Sequence, residues 1–397
     1  MHIPITKAVF DETEMEAIIQ PLKTGWVVQG PYVKQFEQDF VHFTKTSYAK
    51  AVSNCTTALH LALEALGVGA GDKVVVPSFT YVASANAVEY TGAEVVFCDV
   101  ELDTFNIDPV KLEQILQNES GIKAVMPVNL FGLCADLNKI NELKQKYNFF
   151  VVEDSACGFD SWLDGKHSGT FGDIGCFSFH PRKSITTGEG GMLTTDDEQL
   201  YTKLTQLCDH GASKSDLQRH QEHGGSLLPE FKIRGYNYRM TDFQGALGVS
   251  QMSKANWIMN KRRGVASQYD EALSKFSWLK RPSVSEGYIH GYQSYVCLFT
   301  LGNNLAELTK DKIDAINVKR NLFMQELEKR GIATRQGTHA VHTLTYYKNR
   351  YNLHDEQFLN SYISDRLSIT LPLYAEMTPV EFDYVIQEMN KAYECVV

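Results

Sequence analysis

The stretch FSFHPRKSITTGEGG, Phe177 to Gly191, sets Lys183 in a polar turn just after an apolar run, with His180, Arg182 and Glu189 around it. Upstream, VVEDSA ends another apolar run on Asp154. A lysine alone in such a turn reads as a surface group. An aspartate at the end of a neighbouring parallel strand changes that reading, because both side chains then face one crevice at the carboxyl edge of a sheet. A crevice lysine that condenses with an aldehyde, and a carboxylate that pairs with a protonated pyridine nitrogen, are the two groups that pyridoxal 5′-phosphate (PLP) requires.

That cofactor also needs phosphate donors. In SNCTTALHLAL, Ser53 and Asn54 lead into an apolar helical run. A helix N-terminus holds phosphate through free N–H groups and its dipole, and Thr56 and Thr57 add hydroxyls. An ordinary N-cap is compatible with this role. Ser178, just before the lysine turn, is a third candidate. Tyr81 in PSFTYVASAN is placed either to stack on the pyridine ring or to sit in the core. GEGG at 188–191 opens no apolar helix, so it is not a dinucleotide fingerprint; it reads instead as a close backbone approach beside the cofactor.

These residues require strands that deliver them. Apolar runs at Lys73–Val76, Glu94–Cys98, Ala124–Val128, Phe149–Glu153 and Gly175–Phe179 predict strands covered on both faces. Helical patterns at Thr56–Leu66 and Leu137–Tyr147 lie between them, and GMLTT after the glycines looks extended. The alternation predicts a mostly parallel sheet in an α/β/α domain. Beyond Thr241, a long helix from Asp242, extended runs at Ser294–Thr300 and Ser368–Leu371, and helices at Ile316–Arg330 and Pro379–Ala392 predict a smaller α+β domain. The expected division is 1–255 and 256–397.

Composition narrows the partners. The chain has 397 residues, 43% apolar and 22% charged, with a net charge of −10. That charge favours neither nucleic acid nor an anionic membrane surface, so any anionic ligand must be held by local donors. The start MHIPITKAVF lacks the features of a signal peptide, and no apolar run is long enough to span a bilayer. The eight cysteines form no CxxC pair, which predicts reduced thiols in a cytoplasmic protein. HQEH at 220–223 sits in a charged, glycine-flanked stretch and predicts a solvated loop; no metal site is expected.

With these motifs in order, the chain resembles the DegT-type sugar aminotransferases, PLP enzymes of the aspartate aminotransferase fold (fold type I), over nearly its whole length. TGWVVQGPYVKQFE is similar to the family's amino-terminal substrate segment, CTTALHLAL to its phosphate helix and PSFTYVASANAV to its ring-stacking segment. VEDSA resembles the segment carrying the pyridine-nitrogen aspartate, FSFHPRKSITTGEGG the lysine motif, and GYNYRMTDFQGALG a loop that reaches the neighbouring subunit's cofactor. The resemblance implies that Lys183 is covalent anchor and proton shuttle, that Asp154 holds the pyridine nitrogen, and that Tyr81 stacks on the ring. It gives the phosphate to Ser178, Thr56, Thr57 and the neighbouring subunit's Asn237, and makes Trp26, Gly30, His180 and His342 substrate contacts.

The implied reaction moves the amino group of L-glutamate, through the PLP and PMP forms, to a keto group of a nucleotide-linked deoxysugar, with C4 the expected carbon, in surface-polysaccharide or related amino-sugar synthesis by a homodimer. Sugar dehydration on the same cofactor is the alternative, but dehydrating relatives tend to replace the lysine with histidine. A non-catalytic partner-binding paralogue would not need both Lys183 and Asp154. Three departures stand out. Cys157 replaces the usual glutamine or histidine that contacts the cofactor's phenolic oxygen, Cys55 stands where glycine is frequent, and GTHAVH keeps His342 of the sugar-binding P-x-H segment but lacks its proline.

Overall fold

In a computed structural model that describes residues 1–221 and 228–397, the apolar runs of the first half become a seven-stranded sheet. Its strands are β1 (Tyr48–Val52), β2 (Lys73–Pro77), β3 (Glu94–Cys98), β4 (Ile122–Val125), β5 (Phe150–Asp154), β6 (Ile174–Ser178) and β7 (Gly191–Thr195). Their order is β1-β7-β6-β5-β4-β2-β3. The run from β3 to β6 is parallel, while β7 is antiparallel to both β6 and β1. Val74, Val75, Val76, Val151, Val152 and Ile174 are all buried, as expected of strands with helices on both faces. The mostly parallel α/β/α domain expected from the sequence is therefore present.

The first helices of the chain are α1 (Glu12–Thr24), α2 (Pro31–Thr44) and α3 (Cys55–Ala65). Asn54 caps α3, its side chain accepting from the Thr57 N–H while the Thr57 hydroxyl reaches back, a reciprocal box that fixes the helix start. Farther on, α4 (Asp242–Ala272) is a single 31-residue helix capped by Thr241 and Gln244. Behind it lies an antiparallel sheet, β8 (Leu279–Lys280), β9 (Tyr295–Phe299) and β10 (Ser368–Leu371), covered by α5 (Lys310–Lys329) and α6 (Pro379–Glu394). Phe323 and Leu327 of α5 and Val385 and Met389 of α6 share its core.

Position 255 lies inside α4, which is continuous through it. The first residues pack on the smaller sheet's core: Ile3 is buried there, its N–H donates to Gly331 O at 2.8 Å, and its carbonyl accepts from Ala333 N–H at 2.9 Å. The amino terminus thus packs against the carboxy-terminal sheet.

Candidate active site

Asp154 is the last residue of β5, and in the ladder it stands opposite Cys176 of β6. Its carboxylate is 4% exposed. Oδ2 accepts from Ser84 Oγ at 2.7 Å, and Oδ1 accepts from the Ala156 N–H at 3.1 Å. Burial pushes the carboxyl above its ordinary value, against the pull of these two donors and of the Lys183 charge. A buried carboxylate in that condition is stabilised by any cation brought against it.

After Ser178 the chain leaves β6 and folds back on itself. The Phe179 N–H donates to Gly190 O at 2.9 Å, and the Thr186 hydroxyl donates to Phe179 O at 2.8 Å. Gly188 takes φ +82°, a left-handed turn that favours glycine. This loop returns Lys183 toward Asp154. Its Nζ donates to Cys157 Sγ at 3.2 Å. Burial works against the ammonium, but Cys157, Cys55 and Asp154 outweigh it and raise the lysine above its ordinary value.

The glycine cluster has a second effect. A Cβ on Gly191 would lie 2.5 Å from the Asn54 backbone and 2.8 Å from Cys55 N, so β7 passes the start of α3 only because residue 191 is glycine. At that helix start the N–H of Thr57 is bound by Asn54 and that of Ala58 by the Asn54 carbonyl. The N–H groups of Cys55 and Thr56 precede any intrahelical acceptor, and both residues line the cavity with Ser178. The two threonines differ: the Thr57 hydroxyl is spent on Asn54 O at 2.7 Å, which leaves Thr56 as the available side chain.

The cavity has a volume of about 1040 Å³, at the upper limit of small-molecule and cofactor sites. Thr56, Thr57, Tyr81, Asp154, Cys157, Ser178, His180 and Lys183 all line it, and residues 334–339 form the facing wall. Tyr81 is 62% exposed at its edge, an aromatic face open to a flat ligand.

Four expected residues are not brought to this cavity within the chain. His342 is fully buried, bonded to Ser78 Oγ at 2.6 Å and packed on Phe358. It is not among the residues lining the cavity, whereas Thr338 and His339 are. Gly30 begins α2 and is buried against the Trp26 ring and Asp242, while Trp26 Nε1 donates to Gln29 O at 3.2 Å. Asn237 is exposed and pairs through its backbone with Asp209. Glu222 and His223 of HQEH lie outside the described residues.

Other positioning groups were passed over in the sequence. Ser84 stands in the quoted tyrosine segment, where a helix start places it under Asp154. Glu153 is fully buried and accepts from Gly169, Phe171 and Gly172 N–H at 2.6–2.8 Å and from Asn129 Nδ2 at 3.0 Å, tying the loop before β6 to β5. Gln293 Nε2 donates to Arg182 O at 2.7 Å and fixes the lysine turn from the opposite unit. Only Glu153, a charged residue between the apolar run Phe150–Val152 and Asp154, carried a visible signal.

The profile of the DegT/DnrJ/EryC1/StrS aminotransferase family matches residues 9–390. The chain belongs to that family. Among relatives of this aminotransferase, GDP-perosamine synthase of Escherichia coli O157:H7 is 33% identical over 396 residues, covering 99% of each chain. The spore coat polysaccharide biosynthesis protein SpsC of Bacillus subtilis (strain 168) is 34% identical over 388 residues, covering 98% of this chain and 96% of its own. Spr1654 from Streptococcus pneumoniae, assigned as a sugar aminotransferase, superposes in its PMP form with a TM-score of 0.89 at 29% identity and 100% coverage of both chains. Its PLP form gives 0.88. The fold is that of the fold type I PLP enzymes, and PLP is the cofactor of this aminotransferase.

The residues present fit that cofactor. The free N–H groups of Cys55 and Thr56 suit its phosphate, the buried Asp154 carboxylate suits a protonated ring nitrogen, and Lys183 suits the aldehyde. We propose that Cys157 sits at the ring edge. Cys157→Gln should then be tolerated and should shift the absorbance of the bound cofactor, because an amide donates far better than a thiol. Titrating the visible spectrum checks this; identical spectra at every pH would place residue 157 off the ring.

Proposed function

We propose that the protein transfers the amino group of L-glutamate to the C4 keto group of a nucleotide-linked deoxysugar, in the synthesis of amino sugars for surface polysaccharide. The pairing of Asp154 with Lys183 over one cavity carries this reading. The cofactor, when bound, supplies the electron sink. Asp154 keeps the ring nitrogen protonated, Ser84 and Ala156 fix that carboxylate, and Lys183 Nζ carries the proton to and from the substrate carbon in each half-reaction. The named activity of the GDP-perosamine synthase relatives and a cavity with room for a large second ligand support a nucleotide sugar as acceptor. The test is a screen of GDP-, UDP- and dTDP-linked 3-keto and 4-keto deoxysugars with glutamate, read by mass spectrometry. An aminated 4-keto sugar is expected; amination of the 3-keto sugars alone would move the reaction to C3.

We infer that the working form is a homodimer in the cytoplasm, with sites shared between chains. Asn237 is exposed and outside its own cavity, and Met15, Ile18, Ile19 and Leu22 leave an apolar stripe of α1 open. Symmetric pairing builds two equivalent composite sites. Lys183→Ala mixed with Asn237→Asp should therefore recover activity, since one site of the mixed dimer collects both defects and the other neither. Subunits must first be exchanged by co-expression or refolding. If confirmed heterodimers stay at the level of the separate mutants, Asn237 serves its own chain. Among the described residues no helix is long and apolar enough to cross a membrane.

A further inference from the structure

Both reactants in the proposed cycle are anions at the end away from the reacting carbon, and the chain's net charge of −10 gives neither a favourable field. The residues lining the cavity include one lysine and two arginines: Lys183, Arg182 and Arg335. Lys183 is committed to the chemistry. The other two come from opposite walls. Arg182 stands in the lysine turn, where its carbonyl is held by Gln293 Nε2 at 2.7 Å. Arg335 stands beside β10, its backbone bridged to Thr370. Both backbones are fixed, yet among the described residues neither guanidinium donates to a carboxylate or carbonyl. Glu189, an acid lining the same cavity, lies 4.0 Å from His180 instead. Desolvation against the wall, and then the nearby charge of Arg182, push Arg335 below the usual arginine range.

Two like charges facing one cavity without a counter-ion repel each other, and a ligand oxyanion between them relieves that repulsion. We propose that Arg182 and Arg335 form a two-point oxyanion subsite that holds the charged end of a substrate, a carboxylate of the amino donor or the diphosphate of the sugar nucleotide. This rests on the function proposed above. The planar fork of a guanidinium suits either oxyanion, and charge-assisted bonds of this kind are the strong ones.

The test is calorimetric binding of glutarate, of GDP and of UDP to the PLP-loaded enzyme, at low and high salt. It compares the wild type with Arg182→Met, Arg335→Met and the double variant. The double variant should weaken at least one class of probe by about ten- to hundredfold, and the wild-type affinity for that probe should fall with salt. Loss for glutarate identifies the carboxylate as the ligand, loss for both nucleotides identifies the diphosphate, and loss for all three means that the substrates use the subsite in turn. Arg335→Lys should recover part of the affinity. In the corresponding half-reaction KM should rise while kcat stays within about threefold, as for binding energy shared by ground and transition states. Melting temperature and cofactor absorbance should not move, because neither side chain is bonded within the protein. Affinities within twofold of wild type for every probe overturn the proposal. These readings need no amino transfer, so a failure of the glutamate or sugar assignment shows separately, as wild-type enzyme that glutamate does not bleach.

Discussion

Lys183→Ala is expected to abolish turnover while leaving a folded protein that still holds the cofactor. Lys183 Nζ is the amine that the fold sets against Cys157 and the charge of Asp154, whereas His180 lies toward Glu189 at 4.0 Å. The groups that would hold the cofactor elsewhere are untouched, namely the start of α3, Ser178, Tyr81 and Asp154. Losing a positioned proton-transfer group costs about 10²–10⁴-fold, and here the same residue is also the covalent anchor, so the two losses compound. Steady-state assay of the purified variant, with cofactor content read by absorbance after denaturation, checks both halves. Turnover near the wild-type rate would remove Lys183 from the mechanism.

Asp154→Ala is the companion case, with an expected loss of several orders of magnitude in rate in a protein that still folds. The carboxylate is worth this much because it is buried. In water, a carboxylate 4 Å from a cation gains only about 1 kcal/mol, and the attraction grows several-fold in a lower dielectric. Without Asp154 the ring nitrogen has no counter-ion to keep its proton, and the substrate carbanion loses its sink. Folding should survive, since the change also removes the cost of burying a charge, and the Ser84 hydroxyl retains Thr80 Oγ1 at 3.0 Å. Asp154→Asn separates charge from shape, and it should lose nearly as much rate as alanine. A loss below about tenfold, ~1.4 kcal/mol of barrier, would make Asp154 structural.

What could be read in advance follows from what was local. Glu94–Cys98, Leu137–Tyr147 and Ser368–Leu371 appear with the expected bounds, because each is a continuous pattern with clear ends. The run expected at Ala124–Val128 instead pairs over Ile122–Val125. Pro127 has no N–H to continue the ladder, and its carbonyl accepts from Asp154 N–H at 2.9 Å instead. β1 was missed because its centre is Lys50, which reads as polar; in the fold it is buried and bonded to Glu37 at 2.9 Å. At the site, motif order was enough to bring eight of the expected residues to one cavity. His342 shows the limit: a motif fixes position along the chain, not whether the residue lines the cavity. Arg182 and Arg335 belong to no common motif, and only the closure of the two units over the cavity brings them into one wall system. Nor does any local signal say that Ile3 packs against a sheet formed at the other end of the chain.

The most direct test of the whole account is transfer of ¹⁵N from labelled L-glutamate to a nucleotide-linked 4-keto deoxysugar, followed by mass spectrometry of both products. The account predicts one ¹⁵N atom in the sugar nucleotide and a stoichiometric amount of 2-oxoglutarate, with both lost in Lys183→Ala. A sugar nucleotide that loses water without gaining nitrogen, or unlabelled sugar beside unconsumed glutamate in enzyme with a full complement of cofactor, would contradict it.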